Sequence, residues 1–264
     1  MGQVVFHLDK SPGNEAAMTE HIERKVIHPN VDPSRVHLNK ELIQFPEGVN
    51  DRTEAIRHRL QTAGLGRQIV KNQVQVIRFI LSGTPEDMQR IQSEGRLDEW
   101  CRDNMDYLKK TYGTENVVAA TLHLDETTPH IHASVVPIVR EERRKKKTNK
   151  QPEQTPKRQY RKKDPNRPRL CADDVMAKDK LIYYQDTYAE AMQKYGLQRG
   201  KRGSEARHIS LGEFYRSQMV QSENLQTNIE LLLTVEEAKQ TSIAALEQKE
   251  QDAKRKYEQA EEQK

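Results

Sequence analysis

The feature that most constrains this chain is a pair of β-rich runs around a short acidic turn. Residues 116–124 and 130–139 are rich in β-branched and apolar side chains. Between them stands Asp125-Glu126-Thr127-Thr128-Pro129, a sequence typical of turns. Two strand-like runs joined by so few residues predict a β-hairpin. The fold must therefore include an antiparallel sheet built around this hairpin.

Three histidines lie along the hairpin at positions that converge. His130 and His132 are two residues apart, so in a strand they share one face while Ile131 points to the other. His123 ends the preceding strand, and the hairpin places it opposite this pair. Three neutral imidazoles at one point suit Mn²⁺, Zn²⁺, Co²⁺ or Ni²⁺, whereas Mg²⁺ prefers oxygen ligands. The spacing predicts a divalent metal site made of His123, His130 and His132.

The charge distribution favours a polyanionic partner. The net charge is only +4, but residues 140–169 hold fourteen Lys and Arg against four Asp and Glu, which leaves the rest of the chain mildly acidic. Residues 141–169 also contain proline and almost no large aliphatic side chains, so we predict a flexible loop or linker. We expect it to contact phosphates through Arg143, Arg144, Lys145, Lys146 and Lys147, and the alternative is a solvated linker without that role.

Cysteine usage and hydropathy restrict the setting. Cys101 and Cys171 are far apart and form no C-x-x-C motif, which argues against a disulfide framework and a zinc ribbon. The N-terminus lacks the apolar stretch of a signal peptide, and no run approaches the roughly 18 residues of a membrane span. We expect a soluble cytoplasmic protein without a membrane span.

Hydrophobic periodicity predicts the remaining elements of an α+β fold. Strands are predicted at residues 3–8 and 73–81. Helices are predicted from the turn after residue 11 to about His28, at the surface over 51–67, from Pro85 to Tyr112 as one helix or two joined near Gly95, and over 173–195. Together with the hairpin they predict an antiparallel β-sheet flanked by helices.

The last part of the chain has the sequence of a helical tail. Residues 211–264 are rich in Gln, Glu, Lys and Ala and contain no proline. Leu225, Ile229 and Leu232 form a helical stripe, and Ile243 with Leu246 form a weaker one. This pattern predicts a helical tail over residues 217–264 that can form a coiled coil and self-associate.

The hairpin sequence HLDETTPHIH, residues 123–132, resembles motif III of the MobV (Pre/Mob) relaxases, a family within the His-hydrophobic-His nuclease superfamily. The string SRVHLNKEL, residues 34–42, is similar to the second motif of that family, and HIER, residues 21–24, to the first. Residues 196–216 resemble the end of its nicking domain. The resemblance covers residues 1–216, predicts a relaxase domain of that extent with the relaxase/Rep-like fold, and leaves the tail outside.

The resemblance implies a reaction at a plasmid or mobile-element transfer origin. Relaxases attack one phosphodiester of single-stranded or hairpin DNA, keep the 5′ phosphate covalently, and later reseal the strand to complete mobilisation. Most of the superfamily uses a tyrosine, but this family uses a histidine, and the matching position is His21. Glu126 is then expected to accept a proton or orient a base, and Arg24 to hold a phosphate oxygen. Manganese is the expected metal, with Mg²⁺, Co²⁺, Ni²⁺ and Zn²⁺ as alternatives.

Further DNA contacts and partners follow from the same resemblance. The matched segments supply Arg35 and Asn39 in the second motif and Arg199 and Arg202 in the last. A type IV secretion coupling protein in the bacterial cytoplasm is the implied protein partner. The sequence departs from the family at Lys40, where members often have tyrosine, and this removes one alternative nucleophile.

Two other functions remain open from the sequence. One is a rolling-circle replication initiator with a tyrosine nucleophile, for which Tyr183 and Tyr184 are the pair to test. The other is a non-enzymatic DNA-binding mobilisation accessory protein that acts through its basic segment and its tail. Among the histidines outside the hairpin, His37 is a rival nucleophile, whereas the sequence gives no role to His7, His28 and His58.

Overall fold

A six-stranded sheet organises the first part of the chain. In the computed structural model the described residues are 2–11, 15–140, 166–202 and 211–262. The sheet has the order β2-β4-β5-β3-β1-β8, and β6 pairs with β7 apart from it. The strands are β1 Gly2–Lys10, β2 Lys40–Glu41, β3 Ile77–Gly83, β4 Val117–His123, β5 His130–Val135, β6 Ile138–Val139, β7 Arg169–Leu170 and β8 Leu197–Gln198.

The sheet is mixed rather than purely antiparallel. Strands β1 to β5 pair antiparallel, as expected. The exception is the edge pair of β1 and β8, which is parallel through Gly2 with Leu197 and Gln3 with Gln198. The chain reaches β8 only after a long helical crossover, and such a connection lets a strand enter in the parallel sense. The α+β prediction is confirmed, with this one parallel pair added.

Seven helices occupy the described residues. They are α1 Glu15–Ile22, α2 Arg52–Thr62, α3 Pro85–Ser93, α4 Leu97–Tyr112, α5 Ala172–Val175, α6 Lys178–Met192 and α7 Leu211–Glu262, with short 3-10 turns at Pro33–Leu38, Thr114–Asn116 and Gln193–Tyr195. Helices α3 and α4 are separate because Gly95 lies between them with φ +70°, a left-handed conformation that favours glycine. The sequence had predicted a junction at this residue.

The core lies on one face of the sheet, and the histidines point from the other. The side chains of Phe6, Phe79 and Ile131 all point to the face covered by α3, α4 and α6. There they belong to one buried cluster with residues such as Trp100 and Tyr188. The opposite face carries His130 and His132, and farther along the same strands a second apolar cluster with α2. The helical layer therefore forms the core behind the sheet and leaves the other face to carry the functional groups.

Helix α2 was predicted at the surface, and this was wrong. Its side chains Ala55, Ile56 and Leu60 are buried against Val118 and Val136 of the sheet. Arginines made the segment look polar, but Arg52 and Arg59 are buried too. Their charges are satisfied inside the protein, so the polarity of the sequence did not report exposure.

Helix α1 ends at Ile22, about six residues before the predicted end near His28. Arg24 has φ +56°, in the left-handed region that a non-glycine residue seldom adopts. Its Nη1 donates to the carbonyl oxygen of His21 at 3.1 Å. The backbone leaves the helix here because the Arg24 side chain is held by the hairpin loop, as described below.

The contacts of the chain divide it into two units, Met1–Ser204 and Glu205–Lys264. The second contains α7, whose stripe is exposed, with Leu225 62%, Ile229 56% and Leu232 66% accessible. The helical tail is thus confirmed, while the domain boundary after residue 216 falls inside α7 and stays a prediction. In the part of the chain that the structure describes, no helix is both long and apolar enough to cross a membrane.

Candidate metal centre

The predicted hairpin is formed by β4 and β5, and its register places the histidines as the spacing required. His123 pairs directly with His130, and Thr121 pairs with His132. Ile131 is fully buried on the core side, so the alternation of faces holds. The three histidines form a group that could hold a metal ion, with one nitrogen of each within 4.8 Å of the others.

Hydrogen bonds to backbone carbonyls select the nitrogen that each histidine offers. Nδ1 of His130 lies 2.9 Å from the carbonyl oxygen of Thr128, and Nε2 of His123 lies 2.9 Å from that of Ile22. A carbonyl only accepts, so these two nitrogens carry the protons. The lone pair of His130 is then on Nε2. That of His123 is on Nδ1, where it accepts a hydrogen bond from Nη2 of Arg24 at 2.8 Å. Nε2 of His132 is 3.2 Å from Nε2 of His130. A metal that prefers imidazole fits these three nitrogens once it takes the place of Nη2 of Arg24 on Nδ1 of His123.

Two of the three imidazoles, those of His123 and His132, are kept neutral by their surroundings. Burial, with the nearby charges of His130 and Arg24, lowers the pKa of His123 to about 3. Burial also lowers the pKa of His132 well below the ordinary value, again helped by the neighbouring histidines. Neutral imidazole is the form that binds a metal, so at neutral pH these two residues are ready to ligate without releasing a proton.

Arg24 joins the first motif to the hairpin loop. Its Nε and Nη2 donate to the two oxygens of Asp125, each at 2.7 Å, and Nη2 also lies 2.7 Å from Oε1 of Glu126 and 2.8 Å from Nδ1 of His123. The side chains of Arg24 and Asp125 are 3% and 0% exposed. Burial opposes ionisation of Asp125, but hydrogen bonds from Arg24 and Asn39 outweigh it and lower its pKa to about 2. The pair is ionised and fixes the loop.

The second motif and the segment before it hold the same loop. Asn39 donates from Nδ2 to Asp125 at 2.6 Å and accepts from the backbone N–H of Leu124 at 2.8 Å. Asn30 donates to Oε2 of Glu126 at 2.8 Å. Both oxygens of Glu126 thus accept hydrogen bonds, one from Arg24 and one from Asn30. Three segments that are distant in sequence therefore converge on the turn between β4 and β5.

His21, at the last turn of α1, lies beside the three histidines. Its ring centroid is 5.9 Å from that of His132 and 4.7 Å from that of His28. Burial, then the charges of Arg24 and His28, lowers the pKa of His21 to about 4, against a smaller opposing effect of Glu126. The ring is neutral at physiological pH, which is the form that can act as a nucleophile.

Arg52 anchors the helix that carries His21. Its Nε donates to Oγ of Ser134 in β5 at 2.6 Å, and its Nη2 lies 2.6 Å from a carboxylate oxygen of Glu15 in α1. Nη1 is 3.2 Å from Oγ1 of Thr19. A cation from α2 therefore clamps α1 onto the histidine face of the sheet.

The remaining predicted DNA contacts have varied positions. Arg35 is half-buried in the 3-10 turn after α1. Arg199 and Arg202 both pair with Asp186 of α6, the second at 2.8 Å. The basic residues Arg143, Arg144, Lys145, Lys146 and Lys147 lie outside the described residues, and the described end of that segment, Arg169, belongs to β7.

The tyrosine pair proposed as an alternative nucleophile lies away from the histidines. Tyr184 is buried and packs against Tyr112, whose ring contacts Phe79 on the core face of the sheet. Tyr183 is 61% exposed on the same helix, α6. The histidines point from the opposite face, so this tyrosine pair and the three histidines are on different sides of the sheet.

Sequence reasoning missed three residues of this site: His28, Asn30 and Arg52. His28 and Asn30 stand between the first two motifs, and Arg52 lies in a segment that looked like a polar surface helix. Each acts through a partner at least seven positions away, so local pattern gave no signal. A His and an Asn close behind a matched motif were the available hint.

This chain is similar in sequence to a known protein family and to individual members of it. Residues 5–216 match the profile of a family described as plasmid recombination enzyme, Mob_Pre. A plasmid recombination enzyme of Bacillus sp is 26% identical over 223 residues, covering 83% of this chain and 45% of the relative. A 65 kDa protein of Zymomonas mobilis is 28% identical over 211 residues, covering 80% of this chain and 31% of the relative. The chain spans less than half the length of these curated relatives.

A solved structure shares the fold. The Mn-bound crystal structure of the MobM relaxase domain, a MOBV protein bound to 22 nucleotides of plasmid pMV158 oriT DNA, matches with a TM-score of 0.64 and 25% identity. The match covers 81% of this chain and 99% of that one.

Proposed function

Since the chain belongs to the plasmid recombination enzyme family, we propose that it is a relaxase that nicks and rejoins single-stranded DNA at a plasmid or mobile-element transfer origin. The observation that carries the proposal is the ring of His21 beside three histidines that could hold a metal. The protein would initiate conjugative mobilisation in the bacterial cytoplasm. Hairpin or single-stranded origin DNA is its proposed substrate.

His123, His130 and His132 are the proposed metal ligands. Manganese is the first choice, because it accepts imidazole and is the metal in the related relaxase domain, and Mg²⁺, Co²⁺, Ni²⁺ and Zn²⁺ are alternatives. When bound, the ion polarises a phosphate oxygen and offsets the charge that develops there. The carbonyl oxygens of Ile22 and Thr128 hold two of the rings in the matching tautomers.

His21 is the proposed nucleophile. A lone pair of its neutral ring forms the N–P bond, while the P–O3′ bond breaks and its electron pair leaves with the 3′ oxygen, which then takes a proton. The product is a free 3′ end and a 5′ phosphate joined to His21. Attack by the 3′ hydroxyl on the same phosphorus reverses these changes and reseals the strand.

Glu126 and Arg24 are proposed to support His21 mainly by charge. Because both carboxylate oxygens of Glu126 already accept hydrogen bonds, its position favours stabilising the positive charge that the His21 ring gains as the N–P bond forms over accepting a proton itself. Arg24 lends positive charge to the phosphate site while its hydrogen bonds fix the loop. The motif had left open whether Glu126 accepts a proton or orients a base, and it gave Arg24 a phosphate contact. The hydrogen bonds support a mainly electrostatic role for both residues.

Polar and basic side chains outside the three histidines are proposed to contact the DNA. Arg35, Asn39, Arg199 and Arg202 would bind the strand near the metal centre, with Asn39 acting chiefly through the loop that it holds. The basic segment with Arg143, Arg144, Lys145, Lys146 and Lys147 would add phosphate contacts that depend on salt and not on sequence.

Two protein partners complete the proposal. A type IV secretion coupling protein would receive the DNA-linked protein, as the family resemblance implies. The exposed stripe of α7, with Leu225, Ile229 and Leu232, would pair with a second copy of the chain, because burying these side chains removes apolar surface from water.

Recovery of a covalent adduct tests the reaction. The full chain would be incubated with Mn²⁺ and labelled single-stranded oligonucleotides that tile the replicon encoding it. We expect an adduct that survives denaturing electrophoresis, with the attached residue mapped by mass spectrometry to His21. His21→Ala should abolish the adduct, and His37→Ala, an exposed histidine of the second motif, should not.

The other outcomes select the alternatives. Attachment to Tyr183 or Tyr184 would establish the replication-initiator mechanism instead. Binding of DNA without any adduct, across the whole set of oligonucleotides, would leave the accessory-protein function.

A further inference from the structure

The face of the sheet that carries the metal centre continues beyond it. Residues directly opposite each other on neighbouring strands point to the same side of the sheet. The strand register therefore shows which side chains share the face of the three histidines. His132 pairs with Ile80, and Ile80 pairs with His7. On the next row, Ser82 pairs with Val5. Two side chains of β3 and two of β1 therefore extend the histidine face past β5.

This part of the face is accessible to solvent. Val5 is 39% exposed, and Ile80 and His7 are partly exposed. Their neighbours on the core side, Phe6 and Phe79, are 5% and 0% exposed. We call Val5, His7 and Ile80 the shelf.

The distance from the shelf to the metal centre matches its proposed substrate. Neighbouring strands are about 4.8 Å apart, so the backbone of His7 lies roughly 10 Å from that of His132. Ile80 stands between them. A nucleotide joined to a phosphate at the metal centre spans such a gap, and its base would then lie over the shelf.

We propose that the shelf of Val5, His7 and Ile80 binds an unpaired nucleobase next to the bond that is cut. The occupant is the DNA strand itself, because the shelf is continuous with the metal centre where that strand must arrive. A flat base packs its face on Ile80 and Val5 and its edge or face on the His7 ring, which accepts any base. This inference rests on the proposed function, since it takes the metal centre as the place of the reacting phosphate.

The uncharged side chains of the shelf can contact a base but cannot attract a phosphate. Val5 and Ile80 carry no charge, so they cannot attract phosphate, and their contribution must come from the base. Phosphate contacts, by contrast, come from arginine and lysine. A strand that keeps its phosphates but lacks its bases should therefore bind equally well whether or not Val5 or Ile80 is substituted.

Two probes distinguish the contributions. Binding to the full chain with Mn²⁺ would be measured by fluorescence anisotropy for an oligothymidylate of about 22 nucleotides, the length in the related complex, and for an abasic deoxyribose-phosphate strand of equal length. Variants Val5→Asn and Ile80→Asn add no charge. Val70→Asn, at a residue 65% exposed outside the sheet, is the matched control.

We expect each shelf variant to bind oligothymidylate about tenfold more weakly, as for the loss of one base contact, and the abasic strand as the parent does. The control should change neither. Equal weakening on both strands, or no weakening on oligothymidylate, would overturn the shelf. Should Ile80→Asn fail to fold, Val5→Asn and the parent's preference for strands with bases decide the matter. This binding comparison does not require the DNA to be nicked. It can therefore be interpreted even if the adduct experiment fails.

Discussion

The carbonyl oxygen of Ile22 accepts a hydrogen bond from Nε2 of His123 at 2.9 Å. Ile22 follows His21 in the chain, and His123 is one of the three histidines that could hold a metal. The bond leaves the lone pair of His123 on Nδ1, where it accepts a hydrogen bond from Nη2 of Arg24 at 2.8 Å. The residue next to the proposed nucleophile therefore sets the tautomer of a proposed metal ligand, which joins α1 and the hairpin into one unit.

The first prediction concerns metal binding. His130→Ala and His132→Ala each remove one of three nitrogen ligands, so we expect at least a tenfold loss of Mn²⁺ affinity in titration calorimetry. Mn²⁺ should raise the melting temperature of the parent and not of these variants, since a ligand stabilises only the state that binds it. His58→Ala, in α2, should keep both effects. Unchanged Mn²⁺ affinity in the hairpin variants would place the metal elsewhere.

The second prediction concerns the pair of Arg24 and Asp125. Arg24→Ala leaves a carboxylate buried without its cation, so we expect a loss of about 3–5 kcal/mol in the free energy of unfolding by urea denaturation. Arg35→Ala, at a half-buried arginine on the surface side of the next motif, should cost under about 1 kcal/mol. The double variant Arg24→Ala/Asp125→Ala should recover part of the loss. A loss equal to that of Arg35→Ala would show that the pair does not hold the loop.

The third prediction concerns the clamp under α1. Arg52→Met keeps the length of the side chain but removes the charge that binds Glu15, so we expect unfolding to be easier by about 2–4 kcal/mol. Arg57→Met, at an exposed arginine five positions later in the same helix, is the control and should change little. A double-variant cycle with Glu15→Gln should show coupling between positions 15 and 52. Additive effects would contradict a direct ion pair.

The fourth prediction concerns thiol reactivity. Burial, with a smaller contribution from Asp98, raises the pKa of Cys101 to about 12, so its thiolate is scarce at pH 8. Cys171 is partly exposed. Iodoacetamide should therefore modify the folded protein once, at Cys171, and twice only after unfolding, as read by mass spectrometry of the intact chain. Rapid modification of Cys101 in the folded protein would be the opposite result.

The fifth prediction concerns the direction of helix pairing. Leu225, Ile229, Leu232, Ile243 and Leu246 of α7 recur at alternating spacings of four and three, and the pattern continues through Glu236 and Lys239 between them. A parallel pair in register would oppose Glu236 to Glu236. An antiparallel pair opposes Glu236 to Lys239 and Leu232 to Ile243, so we expect the antiparallel arrangement.

Cysteine cross-linking reads that direction. In a Cys171→Ser background, a mixture of Leu232→Cys and Ile243→Cys chains should form a disulfide-linked dimer on oxidation, whereas Leu232→Cys alone should form little. Efficient cross-linking of Leu232→Cys with itself would indicate parallel helices. A monomer by light scattering at high concentration would show that α7 does not pair.

The sequence by itself determined the hairpin and the grouping of its three histidines. Strand alternation has a period of two and is a local property, so His130, Ile131 and His132 could be assigned to faces before any tertiary contact was known. His123 followed from the length of the turn. The break at Gly95 was equally local, since it depends on the backbone freedom of one residue.

Only the tertiary structure decided what surrounds that group. Arg24 contacts Asp125 across a hundred positions, and Asn30 contacts Glu126 across a similar span, so no window of sequence contains both partners. The burial of Arg52 went unseen for the same reason, because a charged side chain can be buried when distant residues neutralise it. The periodicity of a strand or a helix fixes the face to which each side chain points. Which distant charges meet is fixed by the packing of those elements on one another.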